Sequence, residues 1–245
     1  TENLATTPQI AISGVSTIAA TNMSGTAPTN IWTYAYTAPA GDGTETIVLS
    51  TGTDAAGNVL TATPTSGATF TIDNTSPTAA ITYSSAGPYK QNDNVTITAT
   101  FTENLATTPQ IAISGVSTIT ATNMSGSGKT WTYDYTGPTG NGTETILLST
   151  GTDAAGNVVT ATPTSGATFT IDNVKPVISG FNLIANATIN SLDIGYTLNK
   201  AIASGTLTWT RFGGPADSNE PHVINLTGTT ELLAAPAATF TCWVV

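Results

Sequence analysis

Five oxygen-bearing side chains have the types and placement that could do chemistry in this chain. They are Asp73 and Asn74 at the end of one stretch, Glu103 in a later loop, and Asp153 and Asn157 in the turn Asp153-Ala-Ala-Gly-Asn157. Carboxylate and amide oxygens with no Cys or His among them are hard ligands, and about six to eight such oxygens are what Ca2+ takes. A Ca2+ site is therefore expected, provided that folding gathers positions far apart in sequence. A plainer reading stands beside it. Asp in such a turn bonds its own backbone, Gly156 accepts positive φ and Asn157 tolerates the left-handed region, which would explain the motif without a metal. Neither the EF-hand spacing nor a glycine-aspartate nonapeptide repeat is present.

Catalytic chemistry has little to stand on. The single His, His222, and the single Cys, Cys242, both lie near the C-terminal end, and no G-x-S-x-G, P-loop or H-E-x-x-H occurs. His222 reads as a loop residue. The acids fall mainly in predicted turns and at strand edges, where a glycosidase-like pair would lack shielding. The chain is expected not to be an enzyme.

The elements that must position the five residues follow from a duplication. Thr1 to Ile10 recurs at Thr102 to Ile111, an offset of 102 − 1 = 101, and Gly43 to Asn74 recurs with two changes at Gly142 to Asn173. Trp32 matches Trp131 and Asp54 matches Asp153, at 153 − 54 = 99, so the first copy carries two extra residues before Trp32. A unit of about a hundred residues is the size of one domain. The expected division is 1–74, incomplete at its start; 75–173, complete; and 174–245, divergent and incomplete at its end. The first copy has no counterpart of roughly Thr75 to Phe101, so the chain reads as a piece of a longer array.

Within the complete copy about seven short strands are expected. Asn94 to Phe101 alternates Thr with Val95, Ile97, Ala99 and Phe101, which should face the core. Lys129 to Tyr135 places Trp131, Tyr133 and Tyr135 on one side. That row reads as core, or alternatively as a sugar-stacking platform. Asn123 to Gly128 reads as a loop, and Val158 to Ile171 as a last strand broken at Pro163. The third segment offers strands at Ile194 to Leu198 and around Trp209.

Composition narrows the class of partner. Charged residues are 8% and hydrophobic ones 39% of 245, and the net charge is −10, with no Lys or Arg before Lys90. That balance argues against nucleic acid and anionic membrane surfaces as partners, since both need a basic footprint. No apolar run approaches the roughly 20 residues that span a bilayer, and one Cys excludes an internal disulfide framework.

Many short strands without a helical segment point to all-β, tandem immunoglobulin-like antiparallel sandwiches. Asp153-Ala-Ala-Gly-Asn157, followed by Thr168-Phe-Thr-Ile-Asp-Asn173 and a Pro, resembles the bacterial immunoglobulin-like repeats of large surface adhesins. The resemblance implies an extracellular stalk or spacer whose partners are neighbouring repeats, with a glycan or cell-surface ligand held by other domains. It also implies Ca2+ between domains, with Asp73, Asn74, Glu103, Asp153 and Asn157 as the ligands of one junction. At the next junction Lys200 stands about where Glu103 would be, which argues against a second site. The alternative is a polysaccharide-binding accessory module that uses the Trp131 or Trp209 strand.

Overall fold

The computed structural model describes residues 2–180, 191–209, 221–226 and 238–243. β-branched residues alternating with Thr, punctuated by Gly and Pro, give an all-β chain with no helix among the described residues. It forms two compact units, Thr1–Asn173 and Val174–Val245, so the expected boundary at 74/75 falls inside the first unit.

In the first unit β1 (Gln9–Ser13), β2 (Thr17–Asn22), β3 (Gly43–Ser50) and β4 (Thr69–Ile72) make an antiparallel sheet in the order β2-β1-β3-β4. The chain continues through β5 (Ala79–Tyr83), β6 (Asn94–Leu105), β7 (Gln110–Ser114), β8 (Thr118–Asn123), β9 (Ser125–Thr136), β10 (Gly142–Ser149) and β11 (Thr168–Ile171). A second sheet, β8-β7-β10-β11, repeats the first in register: Ile12 opposes Ile47 as Ile113 opposes Ile146, and Gly43 opposes Ile72 as Gly142 opposes Ile171.

The second sheet has a covering layer, the antiparallel sheet β5-β6-β9. Val95, Ile97, Ala99 and Phe101 face inward as their alternation predicts and are at most 2% exposed. They meet Ile111, Ile113, Ile146, Leu148 and Ile171 from the opposite sheet in one sandwich core. Each such Val, Ile, Leu or Phe side chain contributes on the order of 1.5–3 kcal/mol by leaving water. Trp131 and Tyr135 belong to this core, with Tyr135 edge-on to Phe169 at 5.1 Å, so the aromatic row is packing rather than an exposed platform.

Two local expectations change. The segment Asn123 to Gly128 is largely strand, because β6 runs on to Leu105 and pairs it with Gly128 after a register shift; Glu103 therefore sits in β6 and not in a loop. The stretch from Val158 to Ile171 is a strand only from Thr168. Its earlier part instead runs beside β5, where the Thr160 and Thr164 amides donate to the carbonyls of Pro77 and Ala79.

The second unit holds β12 (Ile178–Ser179), β13 (Ser191–Leu198), β14 (Gly205–Trp209), β15 (His222–Leu226) and β16 (Ala238–Trp243), in sheets β12-β13-β16 and β14-β15. Tyr196, Leu198 and Leu226 form a small core. His222 opens β15 rather than a loop, and Cys242 lies in β16. The side chains of Trp209, His222 and Cys242 lie outside the described residues.

Candidate metal centre

The strands position three carboxylates at one point. Asp73 follows β4, Glu103 lies near the end of β6, and Asp153 starts the turn after β10; one carboxylate oxygen of each lies within 4.8 Å of the other two. Asp153 is 2% exposed and the other two are half-buried.

The Asp153 turn builds itself. Its Oδ1 accepts the amides of Gly156 (2.7 Å) and Asn157 (2.9 Å), and its Oδ2 accepts Asn157 Nδ2 (2.8 Å). Gly156 has φ +98°, which glycine adopts freely, whereas Asn157 stays out of the left-handed region and serves by its side chain instead. Burial pushes the Asp153 carboxyl up, but the donors from Asn157, Gly156 and Ala155 outweigh it and hold the group below its ordinary range. Asp54 in the first copy closes its turn in a similar way, with the amides of Ala56 and Asn58 on Oδ1 and Asn58 Nδ2 on Oδ2.

What the second turn adds is a reach across to the linker. Asn157 Nδ2 donates to the Asp73 carbonyl at 3.0 Å. From the other side, Asn74 Nδ2 donates to the carbonyls of Pro39 (3.2 Å) and Gly41 (2.6 Å), its amide donates to Asp42, and Thr75 Oγ1 donates to Asp42 Oδ2 at 2.6 Å. The linker is thus bonded to a turn of each copy. Asn74 spends its side-chain Nδ2 on the first copy's turn.

Glu103 carries the electrostatic signature of the cluster. Burial first, then the charges of Asp73 and Asp153, with Asp42 adding a little, raise its carboxyl above the ordinary Glu value, against a lowering by Lys129. Lys129 Nζ itself donates to the Thr102 carbonyl at 2.7 Å, beside Glu103. The donor set fits a hard cation: three carboxylates and no soft atom, with one lone pair of Asp153 Oδ2 left after its bond to Asn157.

Sequence reasoning passed over two features. Asp42 ties down the linker, and the only signal for it was an acid at the position of Asn141 in the other copy. Glu45 and Glu144 are fully buried, each with Oε1 accepting a Tyr hydroxyl and a Ser amide, and each with Oε2 lacking a partner. Glu144 shares its parity with Ile146 and Leu148, which already placed it inward. In the second unit Lys200 Nζ donates to the Val174 carbonyl at 3.0 Å. The chain matches no protein-family model, and no curated protein matches it.

Proposed function

We propose that this chain is a stalk segment of a repetitive extracellular bacterial surface protein, built from immunoglobulin-like sandwiches whose first junction is stiffened by Ca2+. The observation that carries this reading is the linker Asp73-Asn74-Thr75, held by turns of both copies beside three converging carboxylates. Bonds on both sides limit bending. Three negative charges gathered within 4.8 Å repel one another until a cation joins them. Asp73, Glu103 and Asp153 would hold the ion, while Asn157 fixes the turn to the linker. Ca2+ supplies charge neutralisation and a rigid oxygen cage. With water completing the shell, the affinity expected of such a site is on the order of 10⁻⁴ to 10⁻³ M, suited to the outside of a cell.

Small-angle scattering and thermal melts of the chain in millimolar Ca2+ and in chelator test the reading. Ca2+ should lengthen the particle and raise the melting temperature, and Asp153→Ala should abolish both effects along with the calorimetric binding signal. Identical profiles in the two media would leave the acids as turn residues and overturn the metal part of the proposal.

A further inference from the structure

The sheet β2-β1-β3-β4 presents the same inner face as β8-β7-β10-β11: Ile10, Ile12, Ile47, Leu49, Phe70 and Ile72 repeat Ile111, Ile113, Ile146, Leu148, Phe169 and Ile171 residue for residue. In the second copy that face is covered by the β5–β6 hairpin. Among the described residues no strand covers the first, and an open groove of about 610 Å3 lies there, lined by Leu4, Met23, Trp32, Leu49 and Leu60. The counterparts Leu105, Met124, Trp131, Leu148 and Val159 are all buried.

The backbone shows what fits. In the second copy Thr160 and Thr164 donate to Pro77 and Ala79, Ile81 donates to Ser165 (3.0 Å), and the Asp172 amide donates to Tyr89 (2.7 Å). Thr61, Thr65 and Ser66 hold the matching positions on the wall of the open groove and form no counterpart of these bonds. Glycine gives an independent sign. A Cβ on Gly166 would sit 2.3 Å from the Ile81 carbonyl oxygen, whereas one on Gly67, at the same φ of +66°, would meet nothing within 4 Å. The space the hairpin backbone fills in one copy is vacant in the other.

We propose that the inner face of the first sheet is a receptor for a β-hairpin with the sequence pattern of Pro77 to Phe101, which docks by adding its first strand beside Thr61 to Ser66 and setting its Val-Ile-Ala-Phe row on the Ile10 to Ile72 face. Strand addition supplies main-chain bonds and alternate side chains supply specificity. The half-buried Ile47, Leu49 and Phe70, beside the buried Ile10, Ile12 and Ile72, and the Thr61 and Thr65 amides, which lack the bonds of Thr160 and Thr164, favour it. The occupant is therefore chemically a strand pair of this protein's own repeat type, presented from outside residues 2–173.

The test adds a synthetic Pro77 to Phe101 peptide to the full chain and reads stoichiometry by calorimetry and amide exchange by mass spectrometry. One peptide should bind per chain, and exchange at Thr61, Thr65 and Asp73 should slow by roughly tenfold or more as those amides become bonded. The peptide variant Ile97→Asp should not bind. Gly67→Ala in the chain should block docking by meeting the hairpin backbone, with its unchanged circular dichroism showing that the sheet is intact. Absence of binding, binding that ignores both variants, or a dimer of the chain alone that hides the groove from the peptide would each overturn the proposal.

Discussion

Two sheets in one chain carry nearly the same sequence and the same register, yet one lies at the centre of a core and the other is half uncovered. Ile146, Leu148 and Trp131 are 0%, 1% and 7% exposed, while their counterparts Ile47, Leu49 and Trp32 are only partly buried. Sheet pairing and bulge position are identical in both copies and each Asp closes its own turn, so these are local properties of the sequence. Burial is not local. It depends on the β5–β6 hairpin, and the comparison separates what a strand pattern determines by itself from what a second layer adds.

The sharpest test of that separation substitutes the same residue twice. Trp131→Ala removes a buried indole, and should cost about 3–5 kcal/mol in chemical denaturation. Trp32→Ala removes a half-exposed one and should cost roughly 1 kcal/mol, the size usual for less buried positions. Equal losses would mean that the first sheet is packed as fully as the second, which would break the comparison and the proposed groove together.

A second test uses alkaline pH. Burial pushes the Tyr83 and Tyr135 hydroxyls up to about 12, with Glu144 adding to the effect at Tyr135. A tyrosine whose folded pKa exceeds its unfolded one stabilises the fold fully below pH about 10 and loses that contribution as pH rises through the folded value. The second sandwich should therefore hold these protons to about 12 and unfold as they leave. Tyr36, half-buried against the uncovered sheet, should ionise before Tyr135 in ultraviolet difference titration. Simultaneous titration of both would show that the missing layer makes no difference to the environment of the ring.

The same contrast explains how much could be read in advance. The alternation Val95, Ile97, Ala99, Phe101 specified a strand and its inward face, since side chains on a pleat have a period of two and one side must leave water. Asp73, Glu103 and Asp153 could be named as the acids of one junction, although Glu103 reaches it from the end of β6 and not from a loop. The bulge at the end of β6 could not be read, because a register shift is fixed by the pairing of Leu105 with Gly128 and not by either residue alone. Nor could the fate of Asn74, whose amide fits two carbonyls of a turn that only folding places beside it.

The smallest expected effect has the clearest sign, and it sets Glu103 against its counterpart Glu2, which is exposed. In chelator Glu103 is held above its ordinary value of 4.5 by burial and by Asp73 and Asp153, so its charge opposes folding; that penalty is absent below the unfolded pKa and grows as pH rises through the folded one. Glu103→Gln should then raise the melting temperature at neutral pH by a few degrees and remove this part of the pH dependence. In millimolar Ca2+ the same substitution deletes a charged ligand, and the sign should invert: the variant melts below the parent and binds the ion more weakly. Glu2→Gln, at an exposed position, should change neither melt. If Glu103→Gln shifts stability in the same direction in both media, Glu103 is a frustrated surface acid and the three carboxylates do not share a cation.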